Sequence, residues 1–403
     1  MFKYLFKLIS FALILTTIFF LFGVDSAVFA ETAIPISSKE EFNNIRNNLS
    51  GNYYLTCDIE FSSSDFSSTG DYYNQGKCFL PIGDGKNPFV GTFDGNGYTV
   101  SGIKISVSGN VYAVSVTPVN TGVSTLSDDG WTGDYIINPT PKPTISPTVG
   151  VFGFNKGTIK NLNVSNCNMS VRSSNNATFY VGGVAGLNNG NILNCSVNNT
   201  LNCDKKSYIG GIVGYQSSGT VKNCLVLGKI ESDGVFGGVA GAVAGGKVSN
   251  CYTDVKFTGT AAANFGLVGI DVIDNIENCY YVADAEQNGV GTAISTVNAK
   301  NPKKYIGFDF NSDWYMSGSL RRPVLKILKT QDIVTADLNN DKNVNLLDLI
   351  LLAQYVADWE VNAHTEVANV NFDFTLEGED VINLQDVIYL AENIAGWNTA
   401  VLY

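Results

Sequence analysis

Histidine is nearly absent from this chain of 403 residues, in which His364 is the single one. A Ser-His-Asp or Cys-His catalytic set elsewhere in the chain therefore has no base. The sequence also contains no His-Glu-x-x-His zinc motif, no Cys-x-x-Cys pair and no glycine-rich phosphate loop. Only 25 residues are Lys or Arg, and they form no basic patch of the kind that nucleic-acid binding requires. These absences exclude several enzyme classes and argue against nucleic acid as a partner.

Two-carboxylate glycosidase chemistry is left open by this search, because it needs only two acids at a suitable separation. The candidate acids are Asp65, Asp71, Asp84, Asp94, Asp128, Asp129 and Asp134. The last three flank Trp131, which could stack on a sugar ring, although a polar loop with one anchoring aromatic explains the same residues. The few arginines form no cluster of the kind that a β-helical lyase would use as its base.

Negative charge is concentrated at the C-terminal end. Residues 336–403 hold twelve acidic residues and one lysine, which leaves −1 of the net charge of −12 for everything before them. The acidity therefore belongs to a small C-terminal module, and the larger part of the chain is nearly neutral.

Long apolar runs are confined to the N-terminus. Lys3 and Lys7 precede an apolar stretch from about residue 8 to 24, and Val28-Phe-Ala30 then supplies small residues before Glu31. This order predicts a signal peptide over 1–30 and an extracellular mature protein without a membrane span. A retained membrane anchor is the alternative, because the apolar run is long.

The middle of the chain repeats itself. An asparagine follows each Gly-apolar-apolar-Gly unit, and the successive spacings of these asparagines are 33, 29, 27 and 28 residues. The five positions are Asn161, Asn194, Asn223, Asn250 and Asn278. A period in this range, built of short β-type runs and Gly/Asn turns, predicts a parallel β-solenoid. The asparagines have two interpretations: hydrogen bonds within and between turns, or a strip that binds a ligand.

The residue after each asparagine forms a second column, which consists of Leu162, Cys195, Cys224, Cys251 and Cys279. Because leucine occupies one position of this column, the column should point into the core, where cysteine packs as a small hydrophobic residue. We therefore expect these four thiols to be reduced. The remaining cysteines leave two pairings open, Cys57 with Cys78 and Cys167 with Cys203.

The repeat units resemble GLUG repeats of bacterial surface proteins. The resemblance rests on units such as Gly-Thr-Ile-Lys-Asn161-Leu and Gly-Thr-Val-Lys-Asn223-Cys, and on the entry segment that begins at Leu80-Pro-Ile-Gly83. It implies a right-handed solenoid over 31–328, with an N-terminal cap and an inserted loop at 110–147. A linker at 329–335 then leads to the C-terminal module at 336–403.

The C-terminal module contains a duplicated loop and helix. Asp337-Leu-Asn-Asn-Asp-Lys-Asn-Val-Asn-Leu-Leu-Asp348 puts oxygen-bearing side chains at positions 1, 3, 5, 9 and 12, the spacing of an EF-hand-type calcium loop. Apolar residues then recur with helical period. Residues 383–397 match 345–359 at an offset of 38, whereas the start of the loop matches at 32, so the second loop carries a six-residue insertion within 374–380.

This duplication resembles a type I dockerin, the all-α calcium-binding module that attaches subunits to the cohesins of a cellulosomal scaffoldin. The resemblance implies two Ca²⁺ sites with EF-hand-like loop-helix units. Their ligand residues would be Asp337, Asn339, Asp341, Asn343, Asn345, Asp348, Asn369, Asn371, Asp373, Asn383 and Asp386. The residues at loop positions 10 and 11 would contact the cohesin: Leu346, Leu347, Leu384 and Gln385. These depart from the commoner Ser-Thr or Ala-Leu pairs.

The two resemblances together predict a secreted, cellulosome-associated subunit. Its solenoid would be a non-catalytic binding or display module that faces a polysaccharide or a cell surface. The alternative is a polysaccharide-degrading enzyme, either a glycoside hydrolase or a lyase, that the dockerin carries to its substrate.

Overall fold

The computed structural model describes most of the chain beyond the N-terminus. The described residues are 33–109, 114–115, 144–145, 147–173, 178–203, 207–258, 266–283, 289–318, 320–328, 335–372, 375 and 379–397. The chain divides into a short unit, Met1–Ile34, and a large unit, Pro35–Tyr403, and the description that follows concerns the large one. Among the described residues, no helix is long and apolar enough to cross a membrane. The signal peptide predicted over 1–30 lies outside the described residues.

The protein is mainly β, and its strands form a parallel solenoid. The strands of the solenoid form four sheets of nine, eight, five and four strands, and from Asn52–Leu55 onward the paired strands of these sheets run parallel. The predicted parallel solenoid is therefore confirmed. Its right-handedness stays a prediction.

The two long sheets run the length of the solenoid. The nine-stranded sheet contains Ile59–Glu60, Thr99–Ser101, Lys104–Gly109, Asn163–Ser173, Ser196–Cys203, Leu225–Ser232, Tyr252–Thr258, Tyr280–Val282 and Thr292–Ile294. The eight-stranded sheet contains Ile34–Ile36, Asn52–Leu55, Thr92–Asp94, Thr158–Lys160, Asn191–Leu193, Thr220–Lys222, Lys247–Ser249 and Ile276–Glu277.

Two shorter sheets belong only to the coils from Thr148 onward. The five-stranded sheet contains Phe152–Asn155, Ala185–Asn188, Val213–Gln216, Ala240–Val243 and Val268–Asp271. The four-stranded sheet contains Thr148–Val149, Phe179–Gly182, Ser207–Gly210 and Val235–Gly237. Two antiparallel pairs lie outside these sheets: Val114–Ser115 with Thr144–Ile145, and Trp314–Met316 with Pro323–Leu325. The first pair joins the two ends of the predicted insertion; apart from residue 147, the other residues of the insertion lie outside the described part.

Like residues meet in register along the solenoid axis. Ile159 pairs with Ile192, and Ile192 with Val221, so one buried aliphatic column continues from coil to coil. Fully burying such a side chain contributes about 1.5–3 kcal/mol. The column of Leu162 and the four repeat cysteines is also buried, as predicted. None of the eight cysteines forms a disulfide, so neither of the two open pairings is made.

Glycine is required where the two shorter sheets approach each other. A methyl group on Gly214 would overlap the backbone nitrogen of Val181, and one on Gly241 would overlap that of Ile209. These glycines belong to the repeated Gly-apolar-apolar-Gly unit. The sequence motif therefore marks a close approach of backbone to backbone between successive coils.

The segment after the last coil packs on the side of the solenoid. Leu225, Tyr252 and Tyr280 form a column on the nine-stranded sheet, and their neighbour Val226 faces the main core instead. Tyr305 packs against Tyr252 of that column, and Trp314 belongs to the same apolar cluster. This segment therefore covers an apolar column on the outer face of the solenoid.

Three α-helices lie among the described residues. Helix α1, Lys39–Asn44, follows Ser38, whose side chain accepts a hydrogen bond from the Glu41 N–H as a helix N-cap does. A 3₁₀ turn at Ile45–Asn47 continues it. Helices α2, Leu346–Val356, and α3, Leu384–Ile394, belong to the C-terminal module. The module has its own small core, which includes Leu338, Leu352 and Leu390.

Candidate functional site

The two copies in the C-terminal module begin their helices in the same way. Asn345 caps α2 and Asn383 caps α3, and each amide oxygen accepts from the backbone N–H two residues later. Asp348 and Asp386 close the reciprocal half of each capping box. Each of the two helix starts therefore satisfies two backbone donors with side chains from four consecutive residues.

The same two aspartates also reach back to the start of their loops. Asp348 Oδ1 accepts from the Asn339 N–H at 3.1 Å, and Asp386 Oδ1 accepts from the Asn371 N–H at 3.2 Å. Asn339 and Asn371 are the residues that the sequence offset of 32 matches. The duplication in sequence is thus also a duplication in hydrogen bonding.

The first loop folds around its own carboxylates. Asp337 accepts from the N–H groups of Asp341 and Lys342 at 3.1 and 2.9 Å. Asp341 accepts from the Asn343 N–H at 2.8 Å, and this bond, with others from the loop, lowers the pKa of the Asp341 carboxyl. Asp337 and Asp348 are both buried, and within the described part of the chain neither forms an ion pair with a basic side chain. A buried carboxylate without a counter-charge is costly.

These residues suit a hard cation by their chemistry, since every donor in the set is an oxygen. The acids alone do not form a ready-made centre. Across the described residues, no group of three or more His, Cys, Asp or Glu side chains is placed to hold a metal ion. Amide and backbone oxygens would have to complete the coordination. Calcium at these loops therefore stays a prediction.

The second loop receives a carboxylate from its insertion. Asn369 stands where the first loop has Asp337, and its Nδ2 donates to Asp380 Oδ1 at 2.9 Å. Asp380 also forms an ion pair with Arg321, and Arg321 Nη1 donates to the Glu366 carbonyl at 2.6 Å. Of the predicted ligands, Asp373 lies outside the described residues.

Apolar residues are exposed at matched positions on the two helices. Leu346 and Leu384 are 59% and 64% exposed, and Ile350 and Ile388 are 44% and 51% exposed. Trp359 and Trp397, which follow the helices, are both 63% exposed. Leu347 is exposed as well, and Gln385 is the polar residue at the same position of the second copy. Each copy therefore presents a similar apolar surface to solvent.

Three of the acids considered for glycosidase chemistry, Asp65, Asp84 and Asp94, have local partners in the solenoid. Asp65 forms an ion pair with Lys39 at 2.8 Å, and Asp94 pairs with Lys160 at 3.1 Å and accepts from Asn161. Asp84 accepts two backbone N–H groups in its own turn. The three acids around Trp131 lie outside the described residues. His364 contacts Glu366 on the surface of the C-terminal module.

The asparagine column is a hydrogen-bonded ladder. Asn194 Nδ2 donates to Asn161 Oδ1, and Asn223 Nδ2 donates to Asn194 Oδ1 at 3.2 Å. All five asparagines have φ between 52° and 55°, a left-handed conformation that asparagine tolerates. Of the two interpretations of the column, the structural one therefore explains these side chains.

Comparison with known proteins gives a limited result. No family model matches the chain, and no curated protein matches it. One similar solved structure is that of a Bacteroides ovatus protein provisionally named an immunoglobulin A1 protease. The match has 18% sequence identity and a TM-score of 0.46, and it covers 74% of this chain and 93% of the other.

Proposed function

We propose that this protein is a secreted, calcium-dependent, cohesin-binding subunit of a cellulosome-like complex. In this proposal the C-terminal module is a type I dockerin with two Ca²⁺ sites. The solenoid is right-handed and of the GLUG type, and it is a non-catalytic binding or display module that faces a polysaccharide or a cell surface. The proposal implies removal of the signal peptide and an extracellular location.

The observation that carries the proposal is the duplicated apolar surface of α2 and α3. A solvent-exposed leucine and isoleucine recur at matched positions of both helices, which the small core of the module does not use. Exposed apolar residues on a small module favour a protein partner. Because the apolar surface is duplicated, either copy is suited to bind the same partner.

Calcium enters the proposal through the buried carboxylates of the first loop. A divalent cation would supply the positive charge that Asp337 and Asp348 lack among the described side chains. Asp337, Asn339, Asp341 and Asp348 would hold the ion, and the backbone of the loop would orient them. Metal binding would then stabilise the fold of the module, since it neutralises mutual repulsion of the acids.

Binding of the full chain to a panel of purified type I cohesins tests this proposal. We expect binding with calcium and none after chelation. The double variant Leu346→Asp/Leu384→Asp should weaken binding at least tenfold, because charge would replace apolar contact in both copies. Val90→Asp is the matched control, since Val90 is an exposed solenoid residue. Binding that persists in chelator, or that Val90→Asp weakens equally, would contradict the proposal, as would the absence of binding to every cohesin.

Among the described residues, no contact between side chains supports the enzymatic alternative, a glycoside hydrolase or a lyase. Reducing-sugar release from a glycan panel tests it directly. Turnover that a single acid-to-amide change abolishes would replace the non-catalytic assignment of the solenoid.

A further inference from the structure

A polar cleft opens at the N-terminal end of the solenoid. It has a volume of about 330 Å³ and lies between the 3₁₀ turn Ile45–Asn47 and the loop at 81–87. Arg46 and Asn47 line one side, and Asp84 and Asn87 line the other. The cleft is distant in sequence from the calcium loops and belongs to no site described above.

Arg46 is held rigidly at the wall of this cleft. Its Nε donates to the Asn43 carbonyl at 2.8 Å, and its Nη2 donates to Asn43 Oδ1 at 2.8 Å and to the Leu80 carbonyl at 2.9 Å. The guanidinium carbon lies 5.4 Å from the centre of the Phe79 ring. These contacts fix the guanidinium before any ligand arrives, which reduces the entropy lost on binding.

The charge of Arg46 has no counter-ion among the described residues, where no carboxylate lies within 4.0 Å of it. Burial lowers the pKa of the guanidinium from its usual value, yet arginine remains charged at neutral pH. Its Nη1 has two N–H groups and no hydrogen-bond acceptor in the described part of the chain. A half-buried cation with free donors is suited to an anionic ligand group.

The opposite wall of the cleft carries side chains that are able to hydrogen-bond to hydroxyl groups of a ligand. Asp84 Oδ1 accepts from the N–H groups of Lys86 and Asn87, both at 2.8 Å, which fixes the carboxylate in its turn. The other oxygen, Oδ2, stays available as an acceptor. Asn47 and Asn87 add amide groups that both donate and accept. The cleft thus combines one fixed cation with several hydroxyl-compatible groups.

We propose that this cleft binds a carboxylate-bearing sugar unit, a uronate, of an acidic polysaccharide. The sugar carboxylate accepts from Arg46 Nη1, and ring hydroxyls contact Asp84 and the flanking amides. An acidic peptide fits less well, since it would need several cations and the cleft has one. The inference rests on the proposed polysaccharide-binding role of the solenoid and names the ligand class.

Calorimetry on the full chain with calcium tests the inference, with trigalacturonate as the probe. Its methyl ester removes the carboxylate charge, and a neutral trisaccharide and a hexaglutamate peptide are further ligands. We expect the ester to bind at least tenfold more weakly than the acid. Arg46→Gln should cause a similar loss, and the exposed Arg172→Gln should leave affinity unchanged.

Arg46→Gln also removes contacts to Asn43 and Leu80, so its thermal unfolding must be compared with that of the unmodified chain. If the variant does not fold, the comparison of acid with ester on the unmodified chain decides the question. Equal affinity for acid and ester, tighter binding of the peptide, or no binding of the trimer at millimolar concentration overturns the inference. Cohesin binding is measured on the same samples, so a failure of docking and a failure of sugar binding are distinguished.

Discussion

Asn194 Nδ2 donates a hydrogen bond to Asn161 Oδ1 on the preceding coil, at 3.1 Å. Both residues have φ above 50°. One side chain therefore meets two needs of a solenoid corner, because it tolerates the left-handed backbone and links one coil to the next. This relationship explains why asparagine suits this corner of the repeat.

Substitution of Asn194 separates these two roles. Asn194→Ala should destabilise the solenoid by about 3–4 kcal/mol, from left-handed strain of roughly 1–2 kcal/mol and two lost hydrogen bonds, to Asn161 and from Asn223, of about 1 kcal/mol each. Asn194→Gly removes only the two hydrogen bonds and should cost about 2 kcal/mol. Urea unfolding measures both. Equal costs for the two variants would show that the backbone conformation contributes nothing.

The buried thiols predict a loss of stability at alkaline pH. Burial raises the pKa of Cys167 to about 12, above the value of 9.0 for an unperturbed thiol. Between these values the folded state keeps a proton that the unfolded state releases, so stability present below pH 9 is lost as pH rises toward 12. The slope is about 1.4 kcal/mol per pH unit for each such group. Burial also raises the pKa of Cys195 and Cys251.

Urea unfolding from pH 8 to 11 measures this slope. Cys167→Ala should reduce the slope, although it lowers stability at every pH through lost packing. Cys57→Ala is the control, since Cys57 is partly exposed. Alkylation of the native protein without reductant should label Cys57 first, and mass mapping should find all eight thiols free. A slope that Cys167→Ala leaves unchanged would contradict the assignment.

The glycines of the repeated Gly-apolar-apolar-Gly unit leave no room for a side chain between neighbouring backbones. Gly214→Ala should destabilise the solenoid by about 3 kcal/mol, because the added methyl group meets the Val181 backbone rather than a movable side chain. Gly76→Ala is the matched control: Gly76 has φ of 86°, and an added methyl group would meet only the Tyr73 side-chain hydroxyl, at an ordinary contact distance of 3.9 Å. It should show only the backbone strain of roughly 1–2 kcal/mol. A smaller effect at Gly214 than at Gly76, measured by urea unfolding, would be inconsistent with close sheet contact.

Arg321 links the segment that follows the solenoid coils to the C-terminal module. It bonds to Asp380 and to the Glu366 carbonyl, and Lys303 Nζ donates to the Asn371 carbonyl at 2.9 Å. Arg321→Asn should raise the rate of proteolytic cleavage between solenoid and module several-fold, while global stability changes by less than about 1 kcal/mol, as expected for a surface ion pair. Asparagine is chosen because position 321 has φ of 52°.

Arg322→Ala provides the comparison, since Arg322 pairs with Asp254 inside the solenoid at 2.6 Å. It should leave the cleavage rate between solenoid and module unchanged. Equal acceleration by both variants would mean that the ion pair to Asp380 does not hold the module in place.

The sequence by itself determined the repeating parts of this protein. The spacing of asparagine, glycine and cysteine specified the solenoid, its inward columns and the duplicated loop and helix. Such inference works because each coil stacks in register on the next, so local periodicity carries the long-range contacts with it. The helix starts at Asn345 and Asn383 were readable for a related reason, since capping involves only four consecutive residues.

Only the tertiary structure decided how the non-repeating segments lie. It placed Tyr305 against the outer column of Tyr252 and Tyr280, and it brought Arg321 to Asp380, 59 residues away. It also joined Arg46 to the Leu80 carbonyl, 34 residues away, and so formed the cleft. These contacts join single residues that are far apart in the chain and have no periodic pattern. Packing and charge select them only after the chain has folded.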